Sequence, residues 1–596
     1  MAQIAQLSPG VLTTETNLTT VVPSVLTTAG AYAGNFAWGP VNKLTAISTE
    51  KLLVSTFGAP TQSTYESFFT AASFLAYGNN LQIVRAAGTT TYNATSNTAV
   101  SGTTLQVQNE DSFQYTYLSS GKSNTAGPFI ARYPGALGNS LAISVIDAGS
   151  GFANTADMNA NWTFTSNVGS NAATVVTTIG GYFSGLPGTS YKANTSGGRN
   201  DQMHVAVIDV NGVFSGVKGT VLETFAYLSK ASDGLNVNGL SNYYKQAIFN
   251  NSKYIYAIDP PGYATTSIGA GAWGQTTSNV SFTNLSGVNT VVLSSGTDVT
   301  VTDGNVITAQ GYFADPALAS ISLLMTGPFT NAAVQTNAIT IASTRKDCVA
   351  FVSPPSANVV NNSGNESTQV STWVNNLTSV SGGPAGSYAF ADSGWKYMFD
   401  RYNNTYRWVP LNGDIAGLCV YTDTNNNPWW SPAGLTRGVI KNVIKLAWNP
   451  TQSQRDLLYQ LAVNPVISMP GNGTVLYGDK TLQTQPSAFD RINVRRLFIV
   501  LEQAIAQAAK YSLFEFNDAF TQAQFVAMLT PFLASVQSAR GIQSYRVVCD
   551  STNNTPSVVN ANQFVGDIYI QPARSINFIQ LNFVAVGTGV TFTATT

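Results

Sequence analysis

Residues 489–518 read FDRINVRRLFIVLEQAIAQAAKYSLFEFND. Within them Val494, Leu497, Phe498, Leu501, Ile505, Ala508 and Tyr511 recur at helical spacing, which predicts an amphipathic helix over about 492–511. At ~1.5 Å per residue it would be ~30 Å long, and it is the longest uninterrupted pattern in the chain. Arg495, Arg496, Glu502, Gln503 and Lys510 fall mostly on the opposite face. A second helix is expected from Thr521 to Ala539, carrying Phe525, Met528, Leu529, Phe532, Leu533 and Val536. Pro531 should kink it. Strands then follow over Ser544–Cys549 and Asp567–Ile570.

On the N-terminal side, Thr451 with Gln454 forms a capping box opening a helix to about Ala462. Ile467–Met469 and Thr474–Tyr477 flank Pro470-Gly-Asn-Gly473 as a hairpin, and Tyr397–Val409 alternates around Asn403-Asn404 as another. Ile321–Met325 and Cys348–Val352 read as buried strands. The helix between them carries Val334, Ala338, Ile341 and Ala342, so they should form a parallel pair. Ala29–Phe36 and Leu81–Ala87 are strands enclosing a helical stripe of Tyr65, Phe68, Phe69, Ala72, Leu75 and Ala76, with a shorter helix capped by Ser48. Between these blocks lie two stretches dominated by Thr, Ser, Asn and Gly with short alternating runs. Val205–Val210 and Lys253–Asp259, with a helix near Val221–Ser229, separate the two.

The expected organisation is a multidomain mixed α/β (α+β) fold. An N-terminal arm, 1–22, precedes core segments at 23–88, 201–261 and 311–385. β-rich insertions occupy 89–200 and 262–310. A C-terminal domain spans 386–574 and a C-terminal arm 575–596. In the arms Val11, Leu12, Thr13 and Glu15, and then Ile579, Leu581, Phe583 and Ala585, show short extended or alternating patterns suited to half-buried strands.

Of 596 residues 44% are hydrophobic but only 10% charged, against the usual quarter. Interface cores are poor in Lys, Glu and Asp, so the composition suits a surface largely covered by copies or partners; a sparsely charged β-rich secreted protein would look similar. The net charge is −1 with no basic block, which removes the footprint of nucleic-acid binding. MAQIAQLSPG lacks the layout of a signal peptide, and no long apolar run argues for membrane insertion. The three cysteines, Cys348, Cys419 and Cys549, are scattered, which fits reduced thiols.

Catalytic and cofactor chemistry is not indicated. His204 is the only histidine and sits in a strand-like run, so core packing is the expectation. Gly473–Thr481 resembles a phosphate-binding loop, but Asp479 is inserted before Lys480 and the stretch falls at a hairpin. Asp423–Asn427 lacks the carboxylates of a calcium loop and reads as a solvated turn. Arg491, Arg495, Arg496 and Arg574 are open to two readings: binding an acidic partner, or structural salt bridges on a solvated helix face.

Several blocks together resemble the contractile tail sheath proteins of myophages. They are Ser8-Pro-Gly-Val11, Gly39-Pro40, Phe57-Gly58, 74–85 (FLAYGNNLQIVR), 345–354 (RKDCVAFVSP), Asp414-Ile-Ala-Gly417, 429–433 (WWSPA) and 478–482 (GDKTL). The most specific are 491–498 (RINVRRLF), Phe514-Glu-Phe-Asn517, Cys549-Asp550, Asn553-Asn-Thr-Pro556 and 566–572 (GDIYIQP). The family often has an aromatic after Pro-Gly-Val, where this chain has Leu12, and the insertions match no pattern. The resemblance implies a structural virion protein, not an enzyme, without cofactor. Such subunits form hexameric rings stacked around a tail tube, with baseplate and tail terminator proteins at the ends. The terminal arms add strands to neighbours' sheets, and contraction drives the tube through the host envelope. The implied location is the virion, after assembly in the host cytoplasm. Arg491, Arg495 and Arg496 are then candidates for contact with the tube. A sheath of a phage-derived bacteriocin or secretion device, and in a different class a β-rich surface adhesin, are the alternatives.

Overall fold

The computed structural model describes residues 25–96, 105–118, 127–166, 175–258, 272–577 and Gln580. The core opens with β1 (Gly30–Asn35), β2 (Thr45–Ile47), α1 (Glu50–Phe57), α2 (Tyr65–Leu75) and β3 (Leu81–Ala86). Thr49, rather than Ser48, caps α1 by accepting from the Leu52 amide. An inserted unit contributes β4 (Leu141–Asp147), β5 (Gln202–Asp209), β6 (Thr220–Ser229) and β7 (Asn289–Val292). The core resumes with α3 (Asp303–Gly311), β8 (Leu323–Met325), α4 (Ala332–Arg345), β9 (Val349–Val352), α5 (Glu366–Ser381), β10 (Ala389–Asp392), α6 (Asn412–Asn425), α7 (Gln452–Gln460) and β11 (Val463–Asn464). The chain then builds α8 (Ile492–Ala509), α9 (Ala519–Ser538), β12 (Ile542–Val548) and β13 (Asp567–Pro572).

Seven strands form the main sheet in the order β11-β10-β9-β8-β1-β3-β2, every pair parallel except β2 with β3. The continuous apolar runs at Ala29–Ala33, Leu323–Met325 and Val349–Val352 follow from burial on both faces. Helices α2 and α6 pack together against the sheet, while α3, α4 and α5 form a second contacting group. Gly30 is needed where the Phe74 ring of α2 meets β1, since a Cβ there would lie 2.5 Å from Cζ. The β8–α4–β9 unit, the hairpin Trp395–Asp400/Thr405–Pro410, the hairpin Val466–Met469/Gly473–Leu476 and the Thr451/Gln454 capping box form as the sequence predicts.

Two expectations are corrected. Residues 220–229 are a strand, not a helix. Their β-branched and aromatic residues pair with β5 through most of its length, and tertiary pairing overrides the weak helical spacing. Residues 201–261 are not a core segment: β5 joins β4 and β6, and β4 also pairs with β7 from the second β-rich stretch. All four strands form one antiparallel sheet, β7-β4-β5-β6, so the described parts of 89–200 and 201–261, with β7 from the second β-rich stretch, build a single inserted unit. Its alternation is regular. Ile143, Val145, Val205 and Val207 face one apolar cluster with Trp273, and Ala142, Ile146, Ala206 and Ile208 face another with Trp162. α3 returns the chain to the main sheet.

Candidate functional site

The first half of α8 is not amphipathic in its surroundings. Every residue from Ile492 to Leu497 is buried, and only beyond Leu501 does one side open to solvent. Ile492 and Ile499 join the main core, whereas Leu497 and Leu501 join a second cluster with Leu533, Val536 and Ile542. The helix is therefore wedged between two cores. This corrects the exposed-arginine reading for Arg495 and Arg496, which are 5% and 4% exposed. Arg496 grips Asp423 with both terminal nitrogens, at 2.8 and 2.6 Å. Asp423 is thus a buried ion-pair partner in the last turn of α6, not part of a solvated turn. Arg495 lies between the rings of Phe489 and Tyr388, 3.8 and 4.1 Å from their centroids, and donates to Ser387 at 2.9 Å. Burial pulls its guanidinium below the usual arginine range. Neither side chain is left to present to a partner. Tyr511, expected on the apolar stripe, is instead exposed.

Both terminal segments are rooted on this wedge. Arg496 Nη2 also donates to the Thr27 carbonyl at 3.4 Å, and Ser322 donates to the Leu26 carbonyl at 2.7 Å, fixing the start of the described chain. At the other end Arg491 binds Asp479 at 2.9 Å and the Tyr459 hydroxyl. The second Asp479 oxygen accepts from the Ser575 hydroxyl at 2.7 Å. With its amide oxygen turned to this clasp, Asn577 accepts from Arg491 at 2.7 Å and from Tyr459. Burial, reinforced by the Asp479 charge, pushes the Tyr459 hydroxyl up to about 12, so it stays a donor at neutral pH. Lys480 donates to the Tyr459 carbonyl at 2.7 Å, which leaves the phosphate-loop lookalike committed to internal bonds.

Beyond the wedge, β12 and β13 form a two-stranded antiparallel ribbon with Tyr545 opposite Ile570 and Val547 opposite Ile568. These four side chains pack on α8 and α9, against Leu501, Phe525, Leu529, Leu533 and Val536. Ser544, Arg546, Tyr569 and Gln571 point the other way, in the alternation a half-buried ribbon requires. Among the described residues neither strand pairs with any third strand; on β12 the Gln537 and Asn553 side chains donate to the Gln543 and Val548 carbonyls. The arm residues Val11, Leu12, Thr13, Glu15, Ile579, Leu581, Phe583 and Ala585 lie outside the described residues.

Other candidate chemistry is structural. His204 is buried, stacks on Phe183 at 4.5 Å, contacts the Gly185 carbonyl and accepts from the Tyr227 amide. Burial lowers its pKa. The three cysteines are buried free thiols, and burial raises Cys419 to about 12. Among the described residues, no cluster of three or more His, Cys, Asp or Glu is placed to hold a metal. α9 is long and apolar enough by length and composition to cross a membrane, but Phe525, Leu529, Leu533 and Val536 commit one side of it to the core.

The fold and this site define a mixed α/β protein with a seven-stranded core sheet, a helix wedged between two cores that holds both ends of the described chain, and a ribbon that pairs with no third strand among the described residues. Residues 323–482 match the phage tail sheath protein central domain, and residues 484–585 the phage tail sheath C-terminal domain. The tail sheath proteins of Enterobacteria phage T4 and Vibrio phage KVP40 are each 33% identical to this chain, covering 98% of it and 98% and 99% of their own lengths. Sheath tail proteins from Listeria innocua (TM-score 0.52, covering 92% of each chain) and Desulfitobacterium hafniense (TM-score 0.50, covering 95% of this chain and 100% of that one) are 11% identical and share the fold. The chain belongs to the phage tail sheath family.

Proposed function

We propose that the chain polymerises into a contractile sheath by lending its arms to the ribbons of neighbouring copies. The observation that carries this reading is the ribbon whose two strands pair with no third strand among the described residues, set on the helix that also holds Thr27 and the 575–577 segment. A strand added to an open edge gains main-chain hydrogen bonds, and its alternating side chains set the register. Ile579, Leu581, Phe583 and Ala585 supply such an alternation, and Val11, Leu12, Thr13 and Glu15 a second extended run. A contact between unlike surfaces of identical copies builds rings or open helices. Membership of the family supports hexameric rings stacked around a tail tube, bounded by baseplate and terminator proteins. The virion tail is the location, with assembly in the host cytoplasm.

Contraction then needs no nucleotide. The arms stay paired while the rigid cores rotate, and the energy lies in the difference between two packings of the same subunits. The test is a chain ending at Asn577, which keeps the clasp and removes the strand. It should stay soluble and melt within about 1 °C of the full chain, because a few-tenths kcal/mol change moves a melting point that little. It should form no tubes in electron micrographs. Tubes of normal length and diameter from the shortened chain would overturn the proposal.

A further inference from the structure

The loop joining α8 to α9 displays Tyr511, Leu513, Phe514, Phe516 and Phe520, all 62% exposed or more, with Phe514 fully so. An apolar patch of this density on a soluble chain marks an interaction surface. Hydrogen bonds tie its base to the neighbouring elements. Phe514 adopts φ +70°, a left-handed conformation unfavourable for a bulky residue. Asn517 donates to the Gln563 carbonyl at 2.8 Å, Gln522 donates back to Asn517 at 2.8 Å, and Asp518 caps α9 by accepting from Thr521 at 2.9 Å. The helix that follows contains no charged residue.

The position of the patch relative to the ribbon selects its occupant. Phe525, near the start of α9, packs on Phe564 and on Val547 and Ile568, at the end of the ribbon where β12 stops and β13 begins. Asn517 ties the loop to the connection between those strands. A strand laid along either ribbon edge with its C-terminal end here continues toward the aromatic loop. Six-residue β13 offers about 20 Å of pairing, whereas residues 578–596 reach about 60 Å when extended. The sequence divides accordingly. The alternation through Ala585 is followed by a Gly587-Thr-Gly589 break and then Val590 and Phe592, and 578–596 carries no charged side chain.

We propose that the aromatic loop 511–520 is the docking surface for residues 586–596 of a neighbouring copy, whose preceding residues pair on the ribbon. This rests on the ribbon being the socket for the arm and adds a second, side-chain-driven contact beyond it. The main-chain pairing sets register, and the aromatic surface covers the apolar tail end that six residues of ribbon leave over. A Thr- and Gly-rich uncharged segment with one aromatic suits a flat aromatic surface that holds few charges of its own.

The test places a photo-crosslinking benzoylphenylalanine at position 516, and separately at 569 on β13, in the full chain assembled into tubes. Position 516 should form an intermolecular adduct with a peptide from 586–596, and position 569 one with 578–585. An adduct from 569 together with none from 516, or one to a tube protein or to residues 1–24, overturns the inference and leaves the ribbon reading standing. No intermolecular adduct from either position overturns both. A Phe514→Ser/Phe516→Ser chain should melt as the parent does yet need about tenfold more protein to polymerise, as expected for losing one interface anchor. Polymerisation at the parent's concentration would contradict the proposal.

Discussion

The seven-stranded sheet and the two-stranded ribbon solve the same problem in opposite ways. The sheet ends in edge strands of three and two residues, β2 and β11. Beside β11, Asn464 bonds both the Lys480 amide and carbonyl, and Leu482 donates to the Ala389 carbonyl, which closes that side. Short, covered edges of this kind prevent pairing with other chains. The inserted sheet has a long edge strand, β6, but two register shifts distort it. The ribbon does neither. Its strands are seven and six residues long, and its single register shift sits at one end, between Ile542 and Ser544. One part of the molecule closes its own edges, and the other pairs only two strands among the described residues. A subunit that must fold before it assembles needs both.

The wedge is where a single substitution should cost most. Asp423→Ala leaves the Arg496 guanidinium buried without its partner, which should destabilise the monomer by about 3–5 kcal/mol. Thermal melting of the unassembled protein measures this, and an unchanged melting point would show that the two cores do not depend on the pair. Within the finished sheet the next effect depends on pH. Burial holds the Asp392 carboxyl up to about 8, with Ser353 and the Gly394 amide donating to it. A carboxyl raised in the folded state stabilises most below the unfolded value near 4, and that contribution is lost as pH rises to about 8, at up to ~1.4 kcal/mol per pH unit. Asp392→Asn should therefore flatten the fall in denaturant stability between pH 4 and 8; parallel curves for the two proteins would remove Asp392 from the account.

Smaller effects sharpen the ribbon side. Tyr459→Phe removes the hydroxyl shared by Arg491 and Asn577, and should cost about 1 kcal/mol or less. Its diagnostic reading is faster amide exchange at Ser575–Asn577 with the main sheet unchanged; equal exchange would mean that the clasp does not hold the root of the arm. Tyr569→Ala lies on the exposed face of β13, so monomer stability should stay within about 0.5 kcal/mol. A larger loss would mean that the ribbon is already part of a folded core.

The sequence made the sheet legible because its signals are local. The periodicity of 65–76 and the buried runs at 321–325 and 348–352 each carry their own pattern. The inserted unit was not legible as one piece, since β4 meets β7 across about 140 residues, and no local signal reports that pairing. The buried pair of Lys230 with Asp147 beneath it, 2.7 Å apart, is equally invisible in a linear reading. The arginines of α8 were misplaced for a related reason: helical spacing gives the faces of one helix, not the number of cores pressed against it. Leu497 and Ile499 mark two apolar directions in the first half of that helix, and this was the available hint that its Arg495 and Arg496 had no solvent side.

What pairs with the outer edges of the ribbon decides how copies of the chain join. A helical cryo-EM reconstruction of tubes grown from the full chain tests it directly. A strand from residues 579–585 of another copy should be hydrogen-bonded to the outer edge of β12 or β13. Both edges facing solvent, or an edge covered by the same copy's own terminal segment, would contradict it.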